Sequence, residues 1–169
     1  MQHHRMLAVV GAIALGTMFA APAWAETMPV ELEGFQEVPA ISTTGQGQCR
    51  ARIREGGDPS IAVELSYENL TGNVAQAHIH IAQPAVNGGI VLFLCTNLGN
   101  GPAGTQLCPG TTDGGVTVTL TAADVLPVTA QGIDAGEIDE VINAMREGKA
   151  YCNVHTNLFP GGEIRGQFE

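Results

Sequence analysis

Apolar and polar residues alternate with a period of two along most of the chain. Ile61, Val63, Leu65 and Tyr67 alternate with polar or small partners, and Val116, Val118 and Leu120 flank Thr117 and Thr119. The same rhythm runs through Met28-Val30-Leu32, Cys49–Arg54, Ala77–Ile81, Ile90–Leu94, Tyr151–Thr156 and Glu163–Phe168. Gly-, Pro- and Asn-containing turns separate these runs, among them Glu55–Asp58, Asn87-Gly88-Gly89 and Pro160-Gly161-Gly162. Short half-buried strands with frequent turns predict a mainly β fold, an antiparallel Greek-key sandwich or barrel of about eight strands. One interval departs from this period. Ile138, Val141, Ile142 and Met145 recur at helical spacing. Asp134 and Glu137 make a capping-box-like start and Gly148 a stop, so a short helix is expected near residues 134–147. That aliphatic stripe reads as a packing face. Thr121–Val125 is expected to add a turn of helix.

The N-terminal segment follows another logic. His3, His4 and Arg5 precede an apolar run from Met6 to Ala20, and Ala23-Trp24-Ala25 has the small-x-small form of a cleavage site. Residues 1–25 therefore read as a secretory signal peptide, removed to leave a single domain over 26–169. The run is shorter than a membrane span needs, and nothing after it is longer. The expected location is secreted or periplasmic. Seven Lys and Arg face 17 Asp and Glu, a formal charge of −10. That balance argues against phosphate-backbone binding, so no nucleic-acid partner is expected. Arg50, Arg52 and Arg54 form a basic stripe on one strand face, read as pairing with neighbouring acids. With 44% hydrophobic residues the chain has enough apolar material to fold.

Four cysteines follow the leader, and three pairings are open to them. Cys95 and Cys108 bracket a Gly/Pro/Asn-rich loop that a disulfide would staple. Cys49 shares a strand face with Ala51 and Ile53, and Cys152 shares one with Val154. Both sulfurs are expected to point inward, which favours a second, buried bridge between them.

The histidines carry the candidate chemistry. His78 and His80, at i and i+2 of one strand, project from the face opposite Ala77, Ile79 and Ile81. His155 lies on another strand, opposite in parity to Cys152 and Val154, and is expected to point away from the core as well. Were the two strands neighbours, three imidazoles would meet on one outer surface. Three neutral imidazoles with an open fourth position suit copper or zinc. Such rings need acceptors for their second nitrogens, and Glu37, Glu163 and Asn153 are the candidates. The alternative is a pair of histidines decorating a polar strand face, with His155 bonding a neighbouring backbone carbonyl.

Glu37-Val38-Pro39, Ala77-His78-Ile79-His80, Asn87-Gly88-Gly89-Ile90-Val91 and Tyr151-Cys152-Asn153-Val154-His155-Thr156 together resemble the CHRD (chordin-type) domain. So does the closing Phe159-Pro160-Gly161-Gly162-Glu163-Ile164-Arg165-Gly166-Gln167. The resemblance runs from about Leu32 to Phe168 and implies an exported domain. In chordin the setting is antagonism of extracellular growth factors. Two departures stand out: Ala40 where the family usually has a second Pro, and Ala82-Gln83-Pro84 where a Gly usually follows H-I-H. The His78-Ile79-His80 strand is also similar to the copper-binding strand of copper–zinc superoxide dismutase. Three histidines are too few for a dinuclear centre with a bridging imidazole.

Three functions follow as expectations. The first is an exported binding module holding one copper-type ion on His78, His80 and His155, with zinc as the alternative. The second is a metal-free domain that binds an exported protein partner. The third is a mononuclear zinc or copper enzyme with Glu163 or Glu37 as proton acceptor. No Ser–His–Asp motif, P-loop or dinucleotide fingerprint supports other catalysis.

Overall fold

The alternating runs form eight strands in a computed structural model, which describes Trp24 and residues 26–169. Apart from Trp24, the expected leader lies outside the described residues. In chain order the strands are β1 (Glu26–Glu33), β2 (Gln46–Arg54), β3 (Ser60–Glu68), β4 (Val74–Ile81), β5 (Gly89–Thr96), β6 (Gly114–Thr121), β7 (Ala150–Thr156) and β8 (Ile164–Gln167). All pair antiparallel in one sheet of order β5-β4-β7-β8-β1-β2-β3-β6. The sheet curls into a nearly closed barrel. Its two edge strands approach across a seam, where the Gln106 side chain donates to Leu94 O on β5 and Thr117 O on β6, each at 3.3 Å. A bridge from Cys95 to Cys108 staples the loop that carries Gln106.

Residues of one parity line the barrel core, among them Leu32, Cys49, Ile53, Ile61, Ile79 and Val154, all fully buried. The helix α1 (Ile138–Arg146) adds Ile138, Val141, Ile142 and Met145 to that core. It begins four residues later than Asp134 because only half of the expected capping box forms. Glu137 Oε2 accepts the Asp134 N–H at 2.7 Å, and Glu137 itself stands at the cap. Between them Gly136 takes φ +89°, a left-handed turn that breaks helical continuity. The turn expected over Thr121–Val125 is present as a 3-10 turn at Ala122–Asp124, tied by Thr121 to the Asp124 carboxylate.

The second disulfide does not form. Cys49 and Cys152 point inward as their parity demands, but they are free, fully buried thiols within hydrogen-bonding reach of each other. Burial pushes the Cys152 thiol well above its usual range. The thiolate that would attack a disulfide partner is therefore scarce at this position.

Candidate metal centre

Strands β4 and β7 are direct neighbours, so the two histidine segments lie side by side. Across their ladder His78 faces Asn153, His80 faces Tyr151 and Gln76 faces His155. The side chains of His78, His80, Tyr151, Asn153 and His155 thus share one face, opposite Ile79, Cys152 and Val154. The ring centroids lie 5.5 Å apart for His78–His80, 4.9 Å for His78–His155 and 5.8 Å for His80–His155. One nitrogen from each ring falls within 4.8 Å of the others. The closest approach, His78 Nδ1 to His155 Nε2, is 3.1 Å. Two nitrogens on one tetrahedral ion, each bonded at 2.0–2.1 Å, stand about 3.3 Å apart.

The expected outward parity is present but the expected exposure is not. His78 is 0% exposed, His80 7% and His155 6%. Every residue of β7 is buried on both faces. Loops roof the histidine side. Arg165 donates to Val86 O at 3.0 Å, Asn87 Nδ2 to Val38 O at 2.8 Å, and Gln167 Nε2 to Ala82 O at 2.9 Å. Alternation sets which side a residue takes; it does not report what the loops later lay over that side.

Loop carbonyls set the protonation of two rings. His80 Nδ1–H donates to Gly88 O at 3.1 Å and His155 Nδ1–H to Pro160 O at 3.0 Å, since a carbonyl can only accept. Each Nε2 then carries the ring's lone pair. His155 Nε2 accepts the Nδ1–H of His78, so an ion held by that pair of nitrogens would displace this hydrogen bond and its proton. His78 Nε2 and His80 Nε2 are buried without a partner. Burial, reinforced by its neighbours His155 and His80, depresses His78 to about 2. Burial likewise brings His80 down to about 4, against the pull of Gly88 O and Asn153. His155 is lowered by burial as well. All three are neutral near pH 7, the form that binds metal.

Around them stands a stacked column. The Tyr151 ring lies parallel to His80, 4.7 Å between centroids and 3° between planes, and the Arg165 guanidinium sits 3.4 Å above the same tyrosine ring. Tyr151 Oη accepts the Gly88 N–H at 3.2 Å, which fixes the loop whose carbonyl holds His80. Phe93 packs edge-on against His78 at 4.3 Å.

The three expected orienting residues divide. Glu37, 5% exposed, accepts Asn153 Nδ2–H at 2.6 Å, while Asn153 stands close enough to the His80 ring to favour its protonated form. Burial raises Glu37 to about 7, with Asn153 and Arg165 opposing. Gly162, at φ +128°, passes so close that a Cβ there would strike both Glu37 and Asn153. Glu163 turns elsewhere. Its carboxylate accepts from Thr43 Oγ1, Thr156 Oγ1 and the backbone of Thr71 and Gly72, a knot between loops that leaves nothing for the histidines. Sequence reading missed Tyr151 and Gly88, and offered a backbone carbonyl for His155 without placing it at Pro160. Tyr151 shares strand parity with His155 and was open to that argument. The two carbonyls have no side-chain signature at all.

The fold and site define an extracellular-type β barrel with one disulfide and a buried cluster of three imidazoles. The CHRD domain matches residues 28–168, and the chain belongs to the CHRD domain family. No curated protein and no solved structure matches it. Among the described residues no helix is long and apolar enough to cross a membrane.

Proposed function

We propose that this is an exported binding module, secreted or periplasmic, that holds one copper-type ion on His78, His80 and His155. The observation carrying this reading is a buried trio of neutral imidazoles, one nitrogen of each within 4.8 Å of the others. His78 Nε2 and His80 Nε2 lack any partner. A buried acceptor without a donor is costly, and a cation that takes up lone pairs removes that cost. Imidazole ligands suit copper and zinc, and of the divalent pair copper binds the tighter. Gly88 O and Pro160 O supply the ring-orienting acceptors for His80 and His155.

The test is direct. Metal-free protein titrated with Cu(II) by calorimetry, with elemental analysis after dialysis against a weak chelator, should give one copper per chain. His80→Ala should abolish it while leaving the circular dichroism spectrum unchanged. Zinc retained in place of copper would change the ion; no retained metal would overturn the reading.

A further inference from the structure

The histidine face holds a third buried acceptor besides the two bare imidazole nitrogens. Asn153, 1% exposed, has an Oδ1 with no hydrogen-bond partner. Its Nδ2–H donates to Glu37 Oε1 at 2.6 Å, and beside an ionised Glu37 a reversed amide would set its oxygen against the carboxylate oxygen. Asn153 faces His78 across the ladder, and its side chain also reaches the His80 ring. Three acceptors therefore share one buried face, and none has a donor. A metal ion satisfies the imidazoles. The amide oxygen needs either that same ion or a donor carried by it. Amide oxygens suit hard cations such as magnesium, calcium and manganese, whereas a set of imidazoles selects copper or zinc. The donor is the better match.

We infer that Asn153, held by Glu37, is a positioning residue for the open coordination site: its Oδ1 accepts a hydrogen bond from a metal-bound water. It thereby favours an O–H-bearing ligand over a bare anion. Glu37 and Arg165 also line a surface hollow of about 270 Å³, so the carboxylate that holds Asn153 borders solvent-accessible space. The inference rests on the copper reading above.

Azide is a suitable probe because it is a small anion with no proton to donate. Full-chain protein loaded with one Cu(II) is titrated with azide, followed by its charge-transfer absorption, in wild type, Asn153→Ala and Glu37→Gln. Loss of the acceptor removes the water's advantage, so Asn153→Ala should bind azide about tenfold more tightly at unchanged copper stoichiometry. Glu37→Gln retains an oxygen for Nδ2–H but loses the charge that holds the amide; it should shift azide affinity the same way by less. It decides alone should Asn153→Ala not fold. Proton resonances of the copper-bound water, read by electron–nuclear double resonance, should change in both variants. Unchanged azide affinity and proton couplings in copper-loaded variants would overturn the inference and leave the copper reading intact. A fall in copper affinity beyond about 100-fold in Asn153→Ala would make it a ligand and overturn the inference too. Wild-type protein that takes up no copper would overturn both.

Discussion

His78 has no exposed surface, and its ordinary value of 6.5 is brought down to about 2 by burial and by the neighbouring imidazoles. Between those values the unfolded chain binds a proton that the folded chain refuses. The stability this supplies is complete above about pH 6.5 and is lost as pH falls towards 2. His80 and His155 act in the same direction. Glu37 acts in the other: its folded value of about 7 exceeds the ordinary 4.5, so its contribution declines as pH rises through that interval. Three depressed imidazoles outweigh one raised carboxyl. The melting temperature of metal-free protein should therefore drop between pH 7 and pH 5. His78→Gln should flatten that slope by up to about 1.4 kcal/mol per pH unit, read from denaturant titrations at each pH. A slope unchanged by the substitution would show that His78 titrates freely in the folded chain.

At the scale of elements, the closing segment from Phe159 to Gln167 has two separate tasks. Pro160 O orients His155, while Glu163 ties the loops around Thr43, Thr71 and Thr156 together. Glu163 is fully buried and its accepted bonds hold its carboxyl below the usual range, although burial opposes them. Removing it strands two backbone N–H groups and two hydroxyls. Glu163→Ala should cost about 2–4 kcal/mol of stability in urea unfolding, with copper stoichiometry still at one. Loss of copper without loss of stability would return Glu163 to the histidine site. The motif around Glu163 was legible in the sequence, and its destination was not. A carboxylate beside a strand can bond in several directions, and loops distant in sequence supply the donors that choose one.

At the scale of the whole molecule, Cys49 on β2 and Cys152 on β7 meet inside the barrel as thiols, while Cys95–Cys108 holds the seam loop. A thiol reagent without reductant should therefore find no reactive cysteine in native protein and two per chain in denaturant. None in denaturant would mean the second bridge had formed. The same contrast recurs throughout the molecule. Period two in the β runs, the four-residue helical stripe and the turn residues placed the strands, put α1 near its position and assigned each histidine its side, because these are local properties of backbone geometry. Which strands would be neighbours, that the outward side of β4 and β7 would be roofed, and which carbonyls would hold His80 and His155 are not local. They depend on chain crossovers and loop burial, which bring together groups some 77 residues apart such as His78 and His155 and leave no periodic trace along the chain.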